Sequence, residues 1–392
     1  MKSIYNCTGH ELKIDHVVDS QGVYLTDQNG KQYMDLESGV WCAALGHKNN
    51  RINNVIKNQI DSIMHTGFCY STEVVERAAK SVLSITNFEN GQCVFLCSGS
   101  EAIEVLRQIS RQIKGESKTL VLHDAYLGSY SSTIDRNDGW HVFNWEECKT
   151  CPVNDKCSSS CPTLQNIPKD ITEYIFEPGS GSGFVRFPPK ALIRNIVNMV
   201  RNNNGVIVAN EVTTGVGRTG TWFGYQHYDI KPDMIAIGKG IGNGYPVSVA
   251  AINQATIKEL ENKPFKYMQS HQNDPLGAAV THEVIQIIEE NELLENSARK
   301  GNIFLSQLND LIDNEFIMEV RGRGLMFAVE LADEEIGNEL YNELINAGYI
   351  VCNRGSLFRI DPPLTITEEE FSNFISTFKS LIAAKKWPSA RK

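Results

Sequence analysis

Short apolar runs alternate with stretches of helical period over most of the chain. QCVFLCSGS, KTLVLHDAY, VIVANE and DMIAIGKG each place a compact apolar run before a turn, as a buried strand does. Between them, EAIEVLRQISRQIKG and PPKALIRNIVNMVRNNNG repeat apolar residues every third or fourth position, the second with a glycine stop. The alternation predicts an α/β fold, a mostly parallel central sheet covered by helices, with ligands at the carboxyl ends of its strands. VYLTDQNGKQYMDLESG, residues 23–39, carries an Asn-Gly turn between two strand-like segments and predicts a hairpin. From about residue 290, a long helix (LLENSARKGNIFLSQLNDLI) precedes RGLMFAVEL and LFRIDPPL, which reads as a smaller α+β unit. The first 45 residues are expected to pack with it. The expected division is a large domain at 46–290 and a small discontinuous one built from 1–45 and 291–392.

Composition narrows the partners. The chain has 392 residues, 41% hydrophobic, and a net charge of −10, which argues against nucleic acid or an anionic membrane. It contains no apolar run long enough to span a bilayer, and its first residues lack the apolar core of a signal peptide. Ten cysteines in this context point to a reducing, cytoplasmic location and to thiols rather than disulfides.

Three strand ends carry chemistry. In VFLCSGSEAIEVLRQ, Ser98, Gly99 and Ser100 lead into a helix N-terminus, where free N–H groups favour an anion; plain capping by Ser100 is the alternative. In IAIGKGIGNGYPV, Lys239 follows an apolar strand among four glycines. Partial desolvation there would weaken its ammonium form and make it a nucleophile, against the alternative of a surface lysine. In IVANEVTTGVGRTG, an apolar strand ends on Asn210 and Glu211, polar groups that need partners if buried. A phosphate cradle, an activatable lysine and a polar strand end together suggest pyridoxal phosphate.

With these motifs and others in order, the sequence resembles the class III aminotransferases, of fold type I among the pyridoxal-phosphate enzymes. SGVWCAALGH (38–47), FLCSGSEAIEVLRQ, AYLG (125–128), FEPGSGSG (176–183), NEVTTGVGRTG, PDMIAIGKGIGNGYP, SHQNDPLGAA (270–279) and FRIDPPL (358–364) each resemble a family segment. The resemblance implies a Schiff base at Lys239, which then shuttles a proton at the substrate Cα. It implies cofactor contacts from Ser98, Gly99, Ser100, Tyr126, Glu177, Asn210 and Thr213. Ser270 stands where the family reaches the phosphate of the neighbouring subunit, which implies a homodimer. Arg359 would grip a substrate carboxylate, and Trp41 and Ser182 would line the substrate pocket.

Several positions depart from the family pattern. Asn210 replaces the aspartate that keeps the pyridine nitrogen protonated, so the ring should be a weaker electron sink. Thr213 and Leu127 replace more polar residues. Ser182 occupies the position of a glutamate that neutralises the arginine in ω-amino-acid transaminases. Without it, Arg359 is expected to stay available and to favour an α-amino carboxylate donor. The resulting reading is an aminotransferase moving an amino group between an amino acid and a keto acid. An epimerase or racemase, a decarboxylase, and a non-catalytic protein of the same fold are the alternatives.

An insert at about 146–163 holds Cys148, Cys151, Cys157 and Cys161 in CKTCPVNDKCSSSCP. Four thiols so close fit a tetrahedral sulfur site for zinc or an iron–sulfur cluster, the alternative being a loop of free thiols. Cys7, Cys42, Cys69, Cys93, Cys97 and Cys352 are expected as core filler, and His47 and His123 as structural.

Overall fold

The computed structural model describes residues 3–5, 7, 12–115, 118–153, 156–181, 183–312 and 316–384. The chain opens with a meander of β1 (Val17–Gln21), β2 (Tyr24–Asp27) and β3 (Gln32–Asp35). The Asn-Gly turn joins β2 to β3 as predicted. Asp27 fixes it by accepting from the backbone N–H of Asn29 at 2.8 Å and Lys31 at 3.0 Å, with Gly30 left-handed at φ 82°. The hairpin stops at Asp35. Ser38, Gly39, Val40 and Trp41 then follow one another at φ 49–64°, a left-handed turn instead of a strand.

The central sheet has seven strands: β4 (Gln92–Leu96), β5 (Lys118–Leu122), β6 (Trp140–Phe143), β7 (Ile171–Phe176), β8 (Val206–Asn210), β9 (Met234–Ile237) and β10 (Ser248–Ile252). Their order is β4-β10-β9-β8-β7-β5-β6. Five neighbours, β9 to β6, run parallel; β10 alone runs opposite, paired antiparallel with β4 and β9. β4 therefore points the same way as β9, and six carboxyl ends open on one edge. Helices cover both faces, which is why VIVAN and MIAI are buried at every position and show no alternation.

The last third carries β11 (Ile317–Arg323), β12 (Met326–Leu331), β13 (Tyr349–Ile350), β14 (Cys352–Asn353) and β15 (Leu357–Ile360). Four of these form a separate sheet, β11-β12-β15-β14, while β13 pairs parallel with β3 of the opening meander. The two ends of the chain thus meet in one sheet. Phenylalanine rings fill the space beneath: Phe304 of the helix Leu293–Asn309 stacks on Phe371 of the helix Glu368–Ala384 with centroids 3.9 Å apart.

Candidate active site

The carboxyl ends of the parallel strands carry the expected groups to one place. After β4, Ser98 turns the chain into the helix Gly99–Lys114, and its Oγ accepts from the Glu101 N–H at 3.2 Å. The cap is therefore Ser98 and not Ser100, and its hydroxyl is committed there. Ser100 Oγ instead accepts from the Ser129 N–H at 3.0 Å. Two glycines keep this helix start uncluttered. A Cβ on Gly99 would lie 2.6 Å from Val212, and one on Gly128, already at φ +106°, would lie 2.7 Å from Ser100 Oγ.

After β5, Tyr126 donates its N–H to Glu177 Oε2 at 2.8 Å, and its hydroxyl pairs with Ser129 Oγ at 2.8 Å. After β7, Glu177 is buried and also accepts from the Gly181 N–H at 2.9 Å and the Thr213 hydroxyl at 3.4 Å. Burial pushes its pKa up to about 8, against the pull of the Tyr126 N–H and of Lys239. At the end of β8, Asn210 Nδ2 donates to Tyr126 O at 2.8 Å, and its Oδ1 accepts from the Val212 N–H at 3.3 Å. Glu211 faces away from this group. It is fully buried and binds the Thr214 hydroxyl at 2.7 Å and the N–H groups of Gly224 and Tyr225 at 2.8 Å, a structural role.

After β9, Lys239 sits at φ 47°, a conformation that costs a non-glycine residue roughly 1 kcal/mol or more. Burial lowers its pKa, an effect that Cys42 and Glu177 oppose. Its Nζ lies 5.1 Å from the centroid of the Trp41 ring. A cavity of 180 Å³ opens between Gly99, Ser100, Tyr126, Asn210, Thr213 and Lys239. A larger open groove of 1030 Å³ passes Lys80, Gln226 and Asn253 and shares no lining residue with it.

Arg359, on β15, meets this group through Trp41: its Cζ lies 3.5 Å from the same ring centroid. Its Nε donates to Asp361 Oδ2 at 2.5 Å and its Nη2 to Glu37 Oε1 at 3.0 Å. The expected free arginine is thus already paired twice. Burial works against its charge, but Asp361, Cys352 and Glu37 outweigh this and hold its pKa up. The two acids differ. Asp361 is 0% exposed and lies two residues along the chain, just past β15, while the Glu37 side chain is 22% exposed and stands immediately before the left-handed turn. Asp35 builds that turn, accepting from Glu37 N–H at 3.0 Å, Gly39 N–H at 2.8 Å and His47 Nε2 at 2.8 Å.

Glu37, Asp35 and Asp361 were not singled out from the sequence. Strand alternation in FRIDPPL puts Asp361 on the Arg359 side and could have found it; nothing local marks Glu37. Ser270 is exposed and outside the cavity, and Ser182 lies outside the described residues. Cys7 and Cys69 are exposed, against the expectation of core filler, while Cys42, Cys93, Cys97 and Cys352 are partly buried. The thiols of the insert are all partly buried, but among the described residues the group whose donor atoms lie within 4.8 Å of one another is His65, His271 and Asp274.

The arrangement suits pyridoxal phosphate at three points. The helix start at Gly99 and Ser100 offers N–H groups to a phosphate, Lys239 offers an amine to an aldehyde, and Asn210 offers an amide to a ring nitrogen. An amide can donate to an unprotonated nitrogen but cannot balance a protonated one, as a carboxylate does.

Comparison with known proteins agrees. The profile described as Aminotransferase class-III matches residues 7–382. Acetylornithine aminotransferase of Bacillus subtilis (strain 168) is 28% identical, with 98% of each chain covered. The solved structure of a Bacillus anthracis aminotransferase superposes with a TM-score of 0.90 at 22% identity, covering 97% of this chain and 96% of that one. An amine transaminase from an uncultivated Pseudomonas species, in its PLP-bound form, also reaches 0.90 at 22% identity, covering 98% and 99%. A profile spanning nearly the whole chain, with the lysine, the strand ends and the helix start in place, means that the chain belongs to the class III aminotransferase family.

Proposed function

We propose that this aminotransferase uses Lys239 as its covalent and proton-transferring group, Arg359 as the anchor for a substrate carboxylate, and Glu37 as the partner that the carboxylate displaces. The observation that carries this reading is the shared Trp41 ring, with Lys239 and Arg359 at 5.1 Å and 3.5 Å from its centroid. Pyridoxal phosphate, when bound, supplies the aldehyde that takes up the amino group and a ring that stabilises charge at the substrate Cα. Lys239 provides the amine for that aldehyde, and burial keeps more of it unprotonated than in water. Its Nζ then takes and returns a proton at the substrate Cα. Gly99 and Ser100 bind the phosphate, Tyr126 covers the ring, and Asn210 donates to the ring nitrogen. Glu177 ties the Tyr126 and Gly181 backbones together behind them.

A second reading follows from Glu37. With Glu37 in place Arg359 is neutralised, and an amine without an α-carboxylate can enter beside it; with Glu37 displaced, a keto acid can bind. The Glu37–Arg359 pair therefore supports a donor range that includes ω-amines as well as α-amino acids.

Borohydride reduction of the pyridoxal-phosphate-loaded protein should trap an adduct on Lys239; its absence there would end the proposal. A screen of α-amino acids and terminal diamines against keto acids, with chiral product analysis, identifies the donors and separates amino transfer from epimerisation and decarboxylation. Glu37→Gln should lower KM for the keto acid and reduce kcat/KM for carboxylate-free amines by about tenfold, the scale of one lost charge-assisted contact. Equal effects on both substrates would remove Glu37 from substrate selection.

We further assign the site to a homodimer in a reducing, cytoplasmic compartment. Support comes from Ser270 standing exposed outside the cavity and from ten cysteines, all of them free thiols. A soft metal, zinc or an iron–sulfur cluster, is assigned to the four thiols of the insert, which are partly buried in one loop.

A further inference from the structure

The helix Asn50–Ser62 packs along the helix Pro275–Glu290, and the two run in opposite directions. At one end Arg51, in the first turn of the former, donates Nε–H to Glu283 Oε1 at 2.6 Å and also pairs with Glu290, the last residue of the latter. At the other end His65, three residues past the former, meets Asp274, the residue just before the latter. His271 reaches the same carboxylate from the loop that leads into the second helix. His65 Nδ1 lies 3.1 Å from Asp274 Oδ1, and His271 Nδ1 lies 3.0 Å from Asp274 Oδ2. The two imidazole rings have centroids 4.7 Å apart and are tilted by 45°. One donor atom from each of the three residues lies within 4.8 Å of the other two.

The group is more than a pair of hydrogen bonds. Asp274 holds the N-cap position of its helix, where an aspartate ordinarily accepts from the first free N–H groups. Its carboxylate makes no such bond and is turned to the imidazoles instead. The loop that presents it is fixed from behind. Asn273, left-handed at φ 58°, donates its N–H to Phe95 O at 2.9 Å, and its Oδ1 accepts from the Phe95 N–H at 3.0 Å. Gln269 Nε2 reaches Cys97 Sγ at 3.3 Å, while its Oε1 accepts from the His271 N–H. The carboxylate and one ring thus stand on backbone tied to the end of β4. A cavity of 220 Å³ opens against His271 and Asp274, between Cys97, Tyr245 and Gly277, with room for water beside the donors. The spacing suits a metal ion, since donors 2.0–2.1 Å from one ion lie about 3.0 Å apart at a right angle and about 3.4 Å apart at the tetrahedral angle.

We propose that His65, His271 and Asp274 bind one divalent transition-metal ion, zinc or iron(II), which staples the end of the helix Asn50–Ser62 to the start of the helix Pro275–Glu290. Two imidazoles and one carboxylate suit both ions and leave coordination positions for water. An ionised carboxylate only accepts, so both Nδ1 atoms donate to it when no ion is bound. The ion takes the Nδ1 lone pairs, and each ring then carries its proton on Nε2; no oxidant or reductant is required. The ion takes no part in amino transfer, so the site stands apart from the roles given to Lys239, Arg359 and Glu37. It also stands apart from the thiols of the insert: β4 and β6 are the two opposite edges of the central sheet, and the insert leaves from β6.

Full-length holoenzyme, freed of metal by chelation and gel filtration, is titrated with zinc and, without air, with iron(II), and the bound metal is counted. The parent should bind about one ion per chain more than His65→Asn with His271→Asn, at about 10 μM or tighter. Loss of an outer partner of a metal site costs up to about a hundredfold in affinity, so each single variant, lacking a ligand, should bind at least about a hundredfold more weakly. Equal binding of both ions by the parent and the double variant overturns the site. Both histidines are exposed, so the variants are expected to fold and to keep the cofactor absorption. Where a variant loses that absorption, hydrogen exchange on the native protein decides. Zinc or iron(II) should slow exchange at 63–70 and 269–274, the two segments that the ion joins. Unchanged exchange at both segments with either ion overturns the proposal.

Discussion

Asn210 ends β8 against the cavity that Lys239 lines, and its surroundings fix where its side chain lies. Both ends of its amide are engaged, with Tyr126 O and the Val212 N–H, so the side chain is held in place and not free to turn away. Asn210→Asp should restore a charge partner for the ring nitrogen and shift the absorption of the resting cofactor; an unchanged spectrum would mean that the side chain does not meet the ring. Glu177 makes a second residue-scale prediction. Its carboxyl keeps a proton in the fold up to about pH 8, against 4.5 for the ordinary group. Between those values the folded state holds a proton that the unfolded chain has released. This group's contribution to stability therefore falls as pH rises through that window and levels off above it. Thermal melts of Glu177→Gln, whose amide stays neutral, and of the parent protein should lie closest near about pH 5 and draw apart towards about pH 8.5 as the parent loses stability. A constant difference would show that Glu177 is ionised in the fold.

At the scale of elements, the critical joint is made of glycines. Gly301, inside the helix Leu293–Asn309, faces the β11–β12 turn, where a Cβ would come 2.3 Å from Gly324 O. Gly324 at φ +56° in turn abuts the loop at Thr219 and Gly220. That loop also carries Arg218, which donates to Leu325 O at 2.9 Å and to Pro362 O, beside the strand of Arg359. Gly301→Ala would gain about 1 kcal/mol of helix propensity but meets backbone, which cannot move aside cheaply, so a net loss of about 1–3 kcal/mol in urea unfolding is expected. A neutral or stabilising result would mean that the helix can slide on the turn. The elements themselves were legible in the sequence wherever a period repeated: the helices over 99–114 and 190–202 and strands β4, β5, β8 and β9 follow from it. The left-handed turn at 38–41 was not, because only one of its four residues is a glycine and Asp35, outside it, holds it.

At the scale of the whole molecule, some of the exposed apolar side chains gather on two segments. Ile60, Ile63, Met64, Phe68 and Tyr70 follow one another, and Met268 lies on a second segment. His65 and His271 bring the two segments together, with rings 4.7 Å apart and both bonded to Asp274 at 3.1 and 3.0 Å. Exposed apolar surface beside Ser270 is what a second copy of the chain would cover. Light scattering should give a dimer, and Phe68→Glu with Met268→Glu should give monomers that hold the cofactor weakly. Monomers from the parent protein with full cofactor would refute this.

Sequence alone determined the kind of sheet, the strand ends that carry polar groups, the lysine after its apolar strand and the helix start, because each shows in a local run of the chain. It also displayed the four thiols and the asparagine. The tertiary structure decided which groups face which. Glu37 comes to Arg359 across 322 residues, Ser98 and not Ser100 takes the cap, and Glu146 of the insert pairs with Arg186. Such pairings depend on how distant segments pack, and an ion pair leaves no mark in the local pattern of either partner.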